Sequence, residues 1–230
     1  MKKTMKRFSS LITAFALVGT MATAPAFADE ISVGSIYTET EGQIAYMYSQ
    51  DEMDRTVFTM DMFNEYYTRE DVANMVMAEK ATSVEPSNEY RSYSSYAVTE
   101  QEIEDFYANM EAIAARAPSL SYYFSNVYWQ MRSVPTYGNT PTLTLVPTDI
   151  IHNDPDQNHR AAAWLLVKKT CGSSDKWTNE ASISKQFDCH YMGEVLAYRG
   201  VIGPVGNWDI EPIRPAYGAF TYTVNKCNPV

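Results

Sequence analysis

Basic side chains are scarce in this chain. Its 230 residues hold 18 Lys and Arg against 28 Asp and Glu, a formal charge of −10. The first 28 residues contribute four bases and no acid, so the rest carries −14. Such a chain is a poor partner for nucleic acid, where phosphate neutralisation depends on Lys and Arg. It also avoids anionic lipid surfaces. Long apolar runs are missing too: after residue 28 no stretch is apolar enough to predict a membrane helix. G-x-S-x-G, H-E-x-x-H and a glycine-rich phosphate loop are all absent. Internal repeats and low-complexity tracts are not found. Histidine and cysteine are rare, three of each, which keeps the candidates for catalysis or metal binding few.

What is present begins with a leader. Lys2, Lys3, Lys6 and Arg7 precede a short apolar core, Leu11 to Val18, and Ala26-Phe27-Ala28 is a small-x-small cleavage site before Asp29. This pattern predicts a signal peptide over 1–28 and a secreted, extracytoplasmic protein. Three cysteines in an exported chain then suggest one disulfide and one leftover thiol.

Composition divides the remainder. Residues 29–118 carry 19 acidic and 5 basic side chains; residues 119–230 carry 9 of each, with every Trp, His and Cys. Two units are expected: an acidic, Tyr/Met-rich region over 29–118 and a C-terminal domain over 119–230. In the first, Ile44–Tyr48 and Val57–Met62 read as strands with "SQDEMD" as the turn between them. A helix runs from Arg69 to about Ala81 behind Thr68. Residues 82–98 read as a loop or linker. Thr99 and Glu102 form a capping box, followed by Ile103, Phe106, Tyr107, Met110, Ile113 and Ala114 on one helical face. In the second unit, Tyr122–Met131 and Thr142–Val146 are paired strands, and "DIIHNDPDQN" is a polar loop. A helix starts near Asn158 and ends at Cys171 before Gly172. Residues 181–198 lean to helix, and "NWDI" and "AFTYTV" to short strands. The fold class is α+β, a small mixed or antiparallel sheet with packed helices.

The tract from about Val127 to Pro229 resembles the domain of unknown function 2599, a family of secreted bacterial proteins. The resemblance rests on pieces in order: Trp129 in a strand, "LTLVPT", Trp164 in the next helix, then "QFDCH", "WDIEPIRP" and "CNP". Asp209 stands where the family usually has Asn, and Ile213 where it has a second Trp. Cys171 is extra, and residues 29–118 match nothing in the pattern. The resemblance implies secretion and a shared fold, and no reaction. It also implies that Cys189 pairs with Cys227, pinning the corner 206–218 between them; the pairing Cys171–Cys189 remains the rival.

Each candidate site has a structural alternative. His190 is a candidate general base, oriented by Glu211 or Asp209, or else a half-buried histidine beside a disulfide. If Cys189 is oxidised it is no nucleophile, because only the thiolate attacks. Glu211 and Arg214 are spaced to meet across a turn fixed by Pro212 and Pro215, as a ligand grip or as an internal salt bridge. Trp208 and Tyr217, with Trp129, Trp177, Tyr128 and Tyr137, form an aromatic platform or part of the core. "HNDPDQNH" imitates the first ligands of a calcium loop, but His159 replaces the glycine and Leu165 the final Glu. His152, Asp154, Asp156 and His159 make a weak zinc set, and a solvated loop leading into a helix cap is the favoured reading. No cofactor and no metal are expected. The sequence favours a non-enzymatic binding protein whose corner 206–218 meets a protein or glycan partner through Trp208, Glu211, Arg214 and Tyr217. The alternatives are a secreted hydrolase using His190 with Glu211 or Asp209, and an exported toxin or inhibitor with residues 29–118 as a pro-region.

Overall fold

A computed structural model describes residues 41–83, 97–216 and 227. Residues 1–40, the 84–96 stretch, "AFTYTV" and Tyr217 lie outside the described residues. The elements in order are β1 (Ile44–Met47), α1 (Gln50–Asp54), α2 (Met60–Tyr66), α3 (Arg69–Ser83), α4 (Glu100–Ala115), α5 (Leu120–Tyr123), β2 (Phe124–Val134), β3 (Gly138–Pro147), α6 (Asp149–Asn153), α7 (Gln157–Cys171), α8 (Glu180–Tyr198) and β4 (Trp208–Ile210). The strands form one antiparallel sheet in the order β1-β2-β3-β4. The α+β reading is therefore correct.

The long β2–β3 hairpin is the spine. Along β2, Val127, Trp129 and Met131 alternate inward, as the two-residue period of a strand requires. The chain reverses at Pro135 and Thr136, where Thr136 has φ 75° and Gly138 φ 72°. The glycine takes up this left-handed conformation without a Cβ penalty. Helix α7 packs among α2, α3, α4, α5 and α8 and is buried on nearly every side, from Gln157 through Val167 and again at Cys171. That matches a helix apolar most of the way round. Its true N-cap is Asp156, two residues before the expected Asn158, with the Asp156 side chain accepting from the His159 N–H.

Two expectations in the acidic region are overturned. "SQDEMD" is not a turn: Ser49 and Glu52 form a capping box that starts α1. Val57–Met62 is not a strand, either: Val57 makes a single bridge to Ser119, and Thr59 caps α2. "DIIHNDPDQN" likewise opens with the short helix α6, and Leu120–Tyr123 is a helical turn before β2 begins. The Thr99–Glu102 capping box of α4 is present, and Ile103, Phe106, Met110 and Ile113 are buried from it.

Both compositional regions feed one hydrophobic cluster. Met53, Phe58, Phe63, Val72, Phe106 and Met110 pack in the same core as Phe124, Trp129, Trp164, Phe187 and Trp208. β1 also adds its edge to β2 with Tyr46 opposite Trp129. The Trp129 indole N–H donates to the Tyr48 hydroxyl at 3.3 Å.

Candidate functional site

The corner is built by α8. The Gln186 side-chain amide sits alongside Glu211 like a neighbouring strand. Its Oε1 accepts the Glu211 N–H and its Nε2 donates to the Glu211 carbonyl, both at 2.9 Å. One helical turn before Gln186, the Ser182 hydroxyl receives a second bond from the same Nε2. At the N-terminus of α8, Asn179 Nδ2 donates to the Arg214 carbonyl at 3.0 Å. Pro212 and Pro215 stiffen the chain between these clamps. Inside the turn, Arg214 Nε donates to Glu211 Oε2 at 2.9 Å, and both side chains are buried. Burial pushes the Glu211 carboxyl up, and the Arg214 charge works against that rise. Cys189, on α8, and Cys227 form a disulfide with a Cα–Cα distance of 5.4 Å, and Cys171 is the buried free thiol.

His190 faces inward as well. Its Nε2 meets the Asp209 backbone carbonyl at 3.3 Å. A carbonyl only accepts, so Nε2 carries the proton. The imidazole lies parallel to the Trp208 indole, ring centres 5.8 Å apart. Burial lowers its pKa to about 4, outweighing the favourable Asp209 contact. The carboxylates expected beside it are engaged elsewhere. Asp209 pairs with Arg132 and accepts from the Thr144 hydroxyl at 2.7 Å, while Glu211 holds Arg214. The structure thus brings His190, Trp208, Asp209, Glu211 and Arg214 into one knot, with no carboxylate on the imidazole among the described residues.

The aromatic platform is not a surface either. Trp129 and Trp208 are fully buried, and Tyr128, Tyr137 and Trp177 are half-buried.

A polar chain that sequence reading missed runs beneath the corner. The Trp208 indole N–H donates to Glu194 Oε1 at 3.0 Å, and Glu194 Oε2 meets His152 Nδ1 at 2.9 Å. Glu194 is buried, whereas the His152 side chain is 37% exposed. His152 and Glu194 lie 42 residues apart. Only the i,i+4 spacing of His190 and Glu194 on α8 places that carboxylate near the corner in sequence.

The histidine pair of "HNDPDQNH" is split by the fold. His152 turns to Glu194, while His159 turns inward to the Tyr123 hydroxyl at 3.1 Å. Asp154 and Asp156 stay with His159.

Between the edge of the sheet and the end of α7 lies a polar cleft of about 440 Å³. Tyr46 and Tyr48 line one side, edge to face with ring centres 4.9 Å apart. Thr56, Ser173 and Ser174 supply hydroxyls; Arg55, Lys169 and Lys176 supply positive charge, and Glu52 and Asp175 negative. Lys176 is paired with Asp175, whereas Arg55 and Lys169 make no ion pair among the described residues.

The ordered tryptophans, the clamped "WDIEPIRP" corner and the Cys189–Cys227 bond all fall in one stretch of chain. Residues 125–230 match the family model DUF2599, a protein family of unknown function. No curated protein and no solved structure matches the chain. The matched region therefore contributes β2 to β4, α6 to α8 and the corner, whereas β1 and α1 to α5 precede it.

Proposed function

We propose that this is an exported binding protein, not an enzyme built on His190, and that its ligand is a glycan held in the cleft beside β1. The observation that carries this reading is the cleft. Its volume lies in the roughly 300–1,000 Å³ range of small-ligand sites. Paired tyrosines offer flat faces with polar edges, hydroxyls surround them, and two cations stand without an ion pair among the described residues. Arg55 and Lys169 suit a sugar that carries a carboxylate or sulfate. The corner serves as the frame: Trp208, Glu211 and Arg214 are directed inward and hold the sheet, α8 and the disulfide together. An oxidising location is supported by the leader-like residues 1–28 and the Cys189–Cys227 bond. No helix among the described residues is long and apolar enough to cross a membrane.

The test is binding of the mature chain to an array of neutral and acidic glycans, followed by calorimetry with the best one. Tyr46→Ala and Arg55→Ala, both at exposed positions, are expected to weaken capture at least tenfold. Unchanged affinity in both variants would remove the cleft from the account.

One observation favours a second reading, hydrolysis, and it falls on His152. A half-exposed imidazole whose Nδ1 is held by a buried carboxylate is equipped to take up a proton. A panel of ester, peptide and glycoside substrates, run with the native chain and His152→Ala, decides it. Turnover lost with His152 would establish this reading, and no turnover in the native chain would dismiss it.

A further inference from the structure

The joint between α6 and α7 brings metal-ligating groups together, away from both the corner and the cleft. Asp154, Asp156 and His159 each present one ligand atom, and the three atoms lie within 4.8 Å of one another. Asp156 is fixed by its role as N-cap, with Oδ1 accepting the His159 N–H at 2.6 Å. Capping uses that oxygen and leaves the carboxylate a second one.

The histidine points to a ligand independently of the carboxylates. His159 is only 6% exposed. Its Nδ1 is bonded to the Tyr123 hydroxyl at 3.1 Å. Among the described residues its Nε2 makes no hydrogen bond; Asp154 Oδ2 stands 3.7 Å away, too far for one. A buried imidazole with one nitrogen anchored and the other aimed, without a hydrogen bond, at carboxylates is how a metal-ligating histidine is normally built. The adjoining cleft, about 180 Å³, is also lined by Glu79.

We propose that Asp154, Asp156 and His159 bind one divalent transition-metal ion of the Zn²⁺ class. One imidazole and two carboxylates suit zinc, which takes nitrogen and oxygen at about 2.0–2.2 Å, usually from four ligands. Water supplies the fourth. Ca²⁺ fits poorly, because it asks for about six to eight oxygens. The Nε2–Oδ2 separation already approaches the edge of a zinc tetrahedron. Asp154, whose side chain is 72% exposed, is the ligand with room to close the remaining gap. The positive end of α7 opposes a cation here, and two carboxylates outweigh that partial charge.

The experiment is calorimetric titration of the chelator-treated, folded mature chain with ZnCl₂, repeated with CaCl₂. The absorption spectrum of the Co²⁺-loaded protein reports the coordination number. One Zn²⁺ per chain is expected, with Asp154→Asn weakening it about tenfold or more. His152→Gln should leave binding unchanged, because that ring is engaged with Glu194. His159→Gln should abolish binding; because this ring is buried against Tyr123, the exposed Asp154→Asn variant carries the test should folding suffer. Absence of Zn²⁺ binding, binding that survives Asp154→Asn, loss with His152→Gln, or a preference for Ca²⁺ would each overturn the proposal.

Discussion

His190 makes the fold sensitive to acid in a calculable way. Its pKa in the folded chain is about 4, against an ordinary 6.5, because the neutral ring is buried on Trp208. A depressed pKa means that the unfolded chain takes the proton first. The stability His190 contributes is therefore complete above pH 6.5 and is lost as pH falls towards 4. At about 1.4 kcal/mol per pH unit, that gap amounts to about 3 kcal/mol, most of it lost by pH 4.5. Urea unfolding at pH 7.5 and pH 4.5, on the native chain and on His190→Gln, isolates the effect. Glutamine keeps a donor for the Asp209 carbonyl but cannot ionise, so carboxylates titrating in both proteins cancel in the difference. With urea slopes of roughly 1–3 kcal/mol per molar, the native midpoint should fall about 1–3 M further than that of the variant. Parallel pH profiles would refute the buried, neutral histidine, and a working general base at that position would regain interest.

Further predictions follow from the same knot of residues. Arg214→Met leaves Glu211 buried without its ion-pair partner and should cost about 3–5 kcal/mol, lowering Tm by about 10 °C. Adding Glu211→Gln should restore most of the loss in thermal unfolding. Replacing Cys189 and Cys227 by serine should cost about 2–4 kcal/mol in denaturant unfolding. Cys171, buried with its thiol pushed up to about 12, should resist iodoacetamide in the folded chain and react once unfolded, as read by intact mass. A fragment of residues 119–230 loses Met53, Phe58, Phe63, Val72, Phe106 and Met110 from the shared core. We expect it to show the broad, non-cooperative melting of a loosely packed chain; sharp two-state melting would mean that the C-terminal unit folds alone.

Local rules explain which parts of the fold the sequence made legible. The α4 capping box, the β2–β3 pairing and the Glu211–Arg214 contact each depend on residues close together in the chain or on strong periodicity. The Ser49–Glu52 box carries the same S-x-x-E signal as Thr99–Glu102 and was there to be read; the polar run around it favoured a turn. Val57–Met62 alternates like a strand. Thr59 nevertheless starts a helix that carries Phe63 into the core, a choice made by tertiary packing. The corner was legible as a rigid element, but its clamps were not. Gln186 and Asn179 reach it across 25 and 35 residues. The same distance problem hid His152–Glu194. It also hid the cleft, which joins β1 to the far end of α7. Burial separated the expected site from the exposed one: Trp208, Glu211 and Arg214 have the chemistry of a binding surface but lie beneath it.

The most direct test of the central claim is a backbone-amide NMR titration of the mature protein with the tightest glycan from the array. The account predicts that shifts concentrate at Tyr46, Tyr48, Arg55, Thr56, Ser173 and Ser174, with residues 206–216 unmoved and the glycan recovered intact. Shifts centred on the corner, or conversion of the glycan during the titration, would contradict it.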